Sequence, residues 1–386
     1  MRILIGADVV ATETNKDYFI NDHIHDLIGS ELFDEIESAD ALVFNIEAPI
    51  TDEWTPIKKA GSPKANLKMP EKVIKGYKSL NPTLVTLANN HIMDQGEKGY
   101  SRTVELLDKY NIPYSGVGKT LQDAKKPYFI TMDDVRVGFY CCAEHEFSIA
   151  TSTTPGANPF DSLTSLDDIY EAKRCCDYLV VLYHGGRECY RYPSPDLQRK
   201  FRRMADKGAD LVIAQHTHCI GCAEDYNNSK LIYGQGNFIF DLDNNEYWNT
   251  GLLIDLILKK NDQVIIADFN YIPFKKINST IRMAKDAERD NLIREFYNRS
   301  DEIKQNNFIE KTYNKYSEEN LTNLIRVIHG DTFLFRLINK FLRLFGYNDY
   351  IFKKYKGEKL LGVLNYIECE AHSELLIKGI RKKYNL

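Results

Sequence analysis

Five times in this chain a strand-length apolar run stops at residues able to bind a metal ion. "RILIGAD" ends at Asp8, "ADALVFNIEAP" at Asn45 and Glu47, and "PTLVTLANNHIMDQG" at Asn89, Asn90 and His91. "CDYLVVLYHGGRE" ends at His184, with Glu188 beyond it, and "DLVIAQHTH" at His216 and His218. The runs are short and rich in β-branched residues, which favours strands over helices. Helix-like stretches intervene: "HIHDLIGSELFDEIESA" before the second, "PEKVIKGYKSL" before the third and "LQRKFRRMADKGA" before the fifth. Strand alternating with helix predicts largely parallel pairing, and in such sheets ligands collect beyond the carboxyl ends of the strands. The five endings are therefore expected on one rim.

In extended backbone alternate side chains share a face, so His216 and His218 are expected to point at one spot. A turn would be served better by Gly, Asn or Asp. Two imidazoles aimed together suit a metal, a phosphate or a transferable proton. Taken singly, each ending has a plain explanation: Asp8 as a strand cap, Asn45 or Asn90 as a turn residue. A lone histidine is usually a surface or satisfied core group, which is how His23, His25, His329 and His372 are read. Taken in series, Asp8, Glu47, Asn90, His184, His216 and His218 offer carboxylates, an amide oxygen and imidazoles without thiolate, a donor set that suits Mn, Fe, Zn or Mg. That is more than one tetrahedral ion needs, whereas two divalent ions about 3.5–4 Å apart, sharing a carboxylate, would use the whole set.

The formal net charge of −5 argues against a general nucleic-acid binder. The opening "MRILIGADVV" has an apolar run too short for a signal peptide or a transmembrane segment, so a first strand and a cytoplasmic protein are expected. The vicinal pairs Cys141–Cys142 and Cys175–Cys176 suit reduced thiols better than a disulfide framework. "CIGC" (Cys219 and Cys222) has redox or zinc spacing, but no second pair completes a structural zinc site, and a small apolar loop accounts for it.

Other stretches bear on the rim. "YFITMDDVRVGFYCC" reads as a hairpin turning at Asp133–Asp134. "AEHEFSIATSTTPGANPF" is long enough to be a functional loop, which brings His145 and Glu146 toward a substrate or leaves them on the surface. "RECYRYPSPDLQRKF" carries Arg187, Glu188 and Arg191; its arginines can hold a phosphate or carboxylate bidentately or sit in a solvated loop. In "YGQGNFIFD", Gly234, Gly236 and Asn237 suggest a tight backbone approach at the site's floor. From about residue 276 the pattern turns helical, as in "STIRMAKDAERDNLIREFYNRSDEI" and "TFLFRLINKFLRLFG", which divides the chain into 1–275 and 276–386. The apolar face of the second of these is expected to pack on the main domain or form a homo-oligomer, with a membrane surface as the alternative.

The blocks "NIEAPIT", "TLANNHIMDQG", "LYHGGRE", "GADLVIAQHTH" and "YGQGNFIFD" resemble, in unbroken order over about residues 1–275, the motifs of the CapA family. These poly-γ-glutamate capsule biosynthesis proteins are relatives of the calcineurin-like metallophosphoesterases. The resemblance implies an α/β fold: an α/β/β/α sandwich of two mixed sheets, a dimetal site at the strand ends and a helical C-terminal extension. Asp8 resembles the first-strand aspartate ligand, and Glu47 takes the place of the bridging carboxylate, with Asn45 competing for it. Asn90 matches the ligand of the Asn-His motif. His91 matches the histidine that protonates a leaving group, with Asp94 as its orienting partner. His184 and His216 resemble ligands of the second ion, and His218 a ligand of the first. Metallophosphoesterases usually begin with Asp-x-His, whereas Val9 and Val10 follow Asp8 here, so one ion is a ligand short. What the resemblance implies is a metal-dependent hydrolase in capsule or cell-surface polymer biosynthesis. Its substrate would be an anionic polymer, a peptide or a phosphorylated small molecule, cut at a phosphate, amide or peptide linkage. A non-catalytic protein that holds the polymer, and a metal-dependent epimerase in which His91 moves a proton, fit the same residues.

Overall fold

The computed structural model describes residues 1–59, 66–241, 245–262, 264–328 and 358–384, with Leu337 and Phe341. In chain order its strands are β1 (Arg2–Val9), β2 (Ala41–Ile46), β3 (Leu84–Thr86), β4 (Tyr114–Ser115), β5 (Val117–Gly118), β6 (Tyr128–Met132), β7 (Val135–Ala143) and β8 (Gly156–Ala157). There follow β9 (Tyr178–His184), β10 (Leu211–Gln215), β11 (Ala223–Tyr226), β12 (Ser229–Ile232), β13 (Thr250–Asn261), β14 (Val264–Ile277) and β15 (Thr280–Met283). Among the described residues they form a seven-stranded sheet, β15-β14-β13-β1-β2-β3-β4, and a six-stranded sheet, β11-β12-β10-β9-β7-β6; β5 pairs with β8. Both larger sheets are mixed. Their inner strands run parallel, β1 to β4 in one and β7, β9, β10 and β12 in the other, while β13 and β6 are antiparallel to their neighbours.

Side-chain alternation along the strands sets the layers. Val180 and Leu182 of β9 and Leu211 and Ile213 of β10 face a core shared with β1, β2 and β13. Leu179, Val181 and Tyr183, with Val212 and Ala214, face the opposite way, onto Ile169, Leu197, Phe201 and Met204 of helices Ser165–Lys173 and Pro195–Asp206. The first core also takes in Leu32, Ile74 and Leu107 from helices Ser30–Glu37, Ile74–Ser79 and Gly96–Lys109. The order is helix, sheet, sheet, helix. This is the layering that the resemblance implied.

Register brings the strand ends level. Asp8 lies opposite Asn45, and Asn45 opposite Thr86, in one sheet. Ala143 lies opposite His184, and His184 opposite Gln215, in the other. The β6–β7 hairpin turns at Asp133 and Asp134, both with positive φ (50° and 59°), as a tight two-residue connection requires.

One expected helix needs correction. "STIRM" is strand β15, not the start of a helix: after a turn at Asn278 (φ 55°), Thr280–Met283 pairs antiparallel with β14 and buries Ile281. The β-branched Thr280–Ile281 pair suits that pleated, half-buried edge. The helix proper spans Asp286–Glu302, and its Arg299 Nε donates to the Gly221 carbonyl at 2.8 Å. The first compact unit accordingly runs Met1–Ile309, and position 275 falls inside β14. The second unit, Glu310–Leu386, includes helices Glu358–Glu368 and Glu370–Tyr384. "TFLFRLINKFLRLFG" lies outside the described residues apart from Leu337 and Phe341, and so does His329. Among the described residues no helix is long and apolar enough to cross a membrane.

Candidate metal centre

Where the carboxyl ends of the two sheets meet, Asp8, Asn45, Glu47, Asn90, His184, His216 and His218 come together, all buried. The Asn45 amide nitrogen donates to Asp8 Oδ1 at 2.7 Å and lies 3.3 Å from His184 Nδ1, which joins the sheets. The backbone N–H of His216 donates to Asp8 Oδ2 at 3.2 Å. Asn45 thus supports Asp8, and Glu47 is the acidic group at the centre. A ring or carboxylate atom from each of Asp8, Glu47 and His184 lies within 4.8 Å of the others, and so does one from each of Glu47, His216 and His218. Both groupings contain Glu47. They cut across the ligand pairing that the resemblance implied, although His218 Nδ1 also lies 3.5 Å from Asp8 Oδ2.

The strongest observation concerns Glu47. It is wholly buried, and among the described residues neither of its carboxylate oxygens has a hydrogen-bond partner. His216 Nδ1 is likewise buried without a partner. His184 Nε2 sits 3.0 Å from Asn90 Oδ1 and 3.4 Å from Glu47 Oε1. Electron-pair donors face one another here with few protons to share. Buried acceptors left in this state are costly, and a divalent cation satisfies them together. These residues fit a metal.

The surroundings hold the rings in place. The Asn89 side chain donates to Asn45 Oδ1 (3.0 Å) and to the Ile46 carbonyl (2.8 Å), which locks the turn after β3. His218 Nδ1 lies 2.7 Å from Asn237 Oδ1, so a proton shared there leaves Nε2 as the lone-pair nitrogen. The His218 ring also stacks on Trp248 at 4.4 Å between centroids. His216 and His218 both adopt left-handed backbone (φ 81° and 52°), a strain of the kind that collects at functional sites. Gly234 makes this turn possible. A Cβ there would stand 2.6 Å from Thr217 Oγ1 and 2.8 Å from the Cys219 carbonyl, and its φ is +142°. Gly234→Ala is expected to lose about 2–4 kcal/mol of stability and to weaken metal uptake. Denaturant melts check this, and a variant as stable as its parent would contradict it.

Burial dominates the electrostatics. It pushes the Asp8 carboxyl up to about 6, with the nearby Glu47 charge adding to the rise, and it raises Glu47 as well. It lowers His184 to about 4 and His216 well below the ordinary imidazole range. His184 and His216 are thus neutral near neutral pH, and below about 6 a metal must displace the proton that Asp8 takes up. In the metal-free chain the contribution of Asp8 to stability is present below its ordinary 3.8 and is lost as pH rises through about 6. Metal affinity should run the opposite way and weaken as pH falls through about 6. Mn²⁺ titrations from neutral pH down through both values check this; affinity that held until the imidazole range near 4 would assign control to His184 instead.

His91 and Asp94 form a pair beside this cluster. His91 Nδ1 lies 2.7 Å from Asp94 Oδ2, and fully buried Asp94 also accepts from Lys59 Nζ (2.7 Å) and the Leu67 N–H (2.6 Å). Of the outer residues, Glu188 Oε1 stands 3.8 Å from His216 Nε2. Arg187 is exposed, and its charge reaches His216. His145 is exposed between Glu144 and Glu146. Arg191 is committed elsewhere: it donates to the Ile220 carbonyl at 3.0 Å, pairs with Glu246 and stacks 4.7 Å from the Tyr247 ring centre, so its place is in the loop scaffold. Val10 is a core residue whose N–H donates to the Ile239 carbonyl. Cys219 and Cys222 are fully buried, and burial pushes the Cys219 thiol up to about 12, in keeping with an apolar loop.

Four further features of the site were not expected from the sequence: Lys59, Glu144, Asn237 as the partner of His218, and Glu146 as a neighbour of the buried cluster. Glu146 Oε2 accepts from the Asn90 amide at 3.2 Å, and Glu144 Oε2 from the Gly186 N–H at 3.2 Å. The signal for both acids was present: β7 is another parallel strand, and "AEHE" marks its end.

The chain is similar in sequence to known proteins. The family described as "Bacterial capsule synthesis protein PGA_cap" matches residues 3–242. The chain is 32% identical over 231 residues to the PGA biosynthesis protein CapA of Bacillus subtilis (strain 168), a match covering 58% of this chain and 59% of that one. It is 29% identical over 212 residues to the capsule biosynthesis protein CapA of Bacillus anthracis, covering 53% and 52%. The chain therefore spans little more than half the length of these relatives. A solved 5'-nucleotidase precursor from Thermus thermophilus aligns with a TM-score of 0.43 at 11% identity, covering 77% of this chain and 57% of that one. With the family match extending from β1 past the histidines of the last strand end, the chain belongs to the bacterial capsule synthesis protein family PGA_cap.

Proposed function

We propose that this chain is a metal-dependent hydrolase that cuts a phosphate-, amide- or peptide-linked substrate during production of a capsule or cell-surface polymer. The observation that carries the reading is Glu47, wholly buried and without a hydrogen-bond partner among Asp8, His184, His216 and His218. In this reading Asp8, Glu47, Asn90, His184, His216 and His218 hold two divalent ions of Mn, Zn, Fe or Mg. The ions, when bound, would supply an activated water and polarise the scissile group.

The chain's own residues do the rest. Asp94 holds Nδ1 of His91 and leaves Nε2 directed away from the pair to carry a proton to the leaving group. Lys59 holds the Asp94 charge in place and so fixes the tautomer of His91. Asn45 orients Asp8, and Asn237 orients His218. The rim beyond carries Glu144, Glu146 and Glu188, with Arg187 beside them. The family match supports the capsule setting, with poly-γ-glutamate as the polymer. Reduced thiols at all eight cysteines suit a cytoplasmic chain, and exposed Leu361, Ile367 and Leu375 suit self-association of the C-terminal helices. On this reading the unit Met1–Ile309 carries the chemistry.

The direct test is metal content with turnover. Protein supplemented with Mn, Zn or Fe should carry about one to two ions per chain and hydrolyse a phosphate ester, an amide or a γ-glutamyl peptide. A chain that stays metal-free after supplementation sinks the proposal.

A further inference from the structure

We propose that Glu144 and Glu146, together with His216, form an outer divalent-cation position that shares His216 with the inner centre. Glu144 directly follows β7, and Glu146 lies two residues beyond. One carboxylate oxygen of each and a ring nitrogen of His216 lie within 4.8 Å of one another. Donors bound to one ion at about 2.0–2.4 Å are separated by no more than about 4.8 Å, and the three groups meet that requirement for a shared cation. Glu188 adds a further carboxylate, its Oε1 3.8 Å from His216 Nε2.

His216 is the second, independent observation. The residue is only 4% exposed, and among the described residues its Nδ1 has no hydrogen-bond partner, so a buried nitrogen remains available to a ligand. A neutral imidazole offers one lone pair, because its other nitrogen carries the proton. His216 therefore serves one ion at a time. With the inner centre filled, the outer position is left with carboxylates alone and binds weakly. With the inner centre empty, it gains His216 and tightens. An ion arriving from solvent meets Glu188, Glu144 and Glu146 before Glu47, since the first of these is exposed, the next two are half-buried and the last is wholly enclosed. The acidic trio thus forms a loading step for the inner centre.

This inference rests on the two-ion reading only through His216, and the experiment separates the two. Full-length chains stripped of metal are titrated with Mn²⁺, and the free ion is followed by electron paramagnetic resonance. The wild type should take up tight Mn²⁺ that Glu47→Gln does not. Glu47→Gln should keep a weaker equivalent, which Glu47→Gln/Glu144→Gln/Glu146→Gln loses. In the otherwise wild-type background Glu144→Gln/Glu146→Gln should reach the same tight uptake more slowly by about tenfold or more, the scale on which a charged cleft raises on-rates. Glutamine keeps an oxygen for the Gly186 and Asn90 donors, so these changes preserve the local hydrogen bonds. Should the triple variant not fold, an anomalous-scattering map of Mn²⁺-soaked Glu47→Gln crystals decides: density between Glu144 and Glu146 supports the site, and its absence overturns it. Identical weak binding in the Glu47→Gln and triple chains also overturns it. A wild type that binds no more tightly than Glu47→Gln overturns the two-ion reading instead.

Discussion

Glu47→Gln should abolish tight metal uptake and turnover while leaving the metal-free fold at least as stable as the wild type. The two effects have opposite signs because the carboxylate is costly without a cation and valuable with one. Metal-free, Glu47 is a buried acid with no hydrogen-bond partner among the described residues, and burial raises its pKa. A raised carboxyl contributes stability at low pH and loses it as pH rises through the folded-state value, so the advantage of the variant should grow with pH. Relief of about 1–3 kcal/mol is the scale for an unsatisfied buried polar group. In the presence of metal the amide cannot supply the negative charge, and affinity should fall by more than the ~10–100-fold seen when only a supporting contact is lost. Thermal melts with and without Mn²⁺ read both effects, because a ligand that binds only the folded state raises the wild-type midpoint by mass action. A variant that melts lower without metal would mean that Glu47 has a structural partner. A variant that keeps the full Mn²⁺ shift would remove it from the centre.

How much of this was legible beforehand follows from chain geometry. Asp8, Asn45, Glu47, Asn90, His184, His216 and His218 could be found because each is the polar stop of an apolar run, and parallel strands deliver such stops to one rim. Glu144 belongs to the same class, but β7 reads as one arm of a tight hairpin, and the hairpin hides its parallel pairing with β9. Asn237 follows no named strand. It reaches His218 because the backbone at Gly236 bridges to Gly251, a contact between distant segments. Lys59 approaches Asp94 from 35 residues away in an extended loop, which leaves no local pattern to read. Arg191 shows the opposite failure: its charge and position suggested an anion, while a carbonyl, Glu246 and Tyr247 from separate loops decide its place. Strand β15 was missed because a short edge strand next to a helix shares its residues with the helical pattern.

The largest separation between a catalyst and a scaffold should come from His91→Ala set against His216→Ala. The His91 ring is held by Asp94, and its backbone N–H donates to Asn89 Oδ1 at 3.1 Å; neither bond involves Asp8, Glu47 or His184. Truncating the ring therefore leaves the metals and the turn in place and removes only the proton carrier. If the chain is a hydrolase, turnover should fall about 10²–10⁴-fold, the usual weight of positioned acid–base catalysis, with metal content unchanged. Asp94→Asn should give a smaller loss and an altered pH profile, because the ring keeps a neighbour but loses the charge that fixes its tautomer. His216→Ala should lose both metal and turnover, since it takes a buried nitrogen from the centre. Polymer production in cells carrying each variant then separates the readings. Loss with both His91→Ala and His216→Ala assigns the chemistry to His91. Loss with His216→Ala alone would mean that the ions hold structure or ligand without turning it over, and the hydrolase reading would give way to a binding role in capsule assembly.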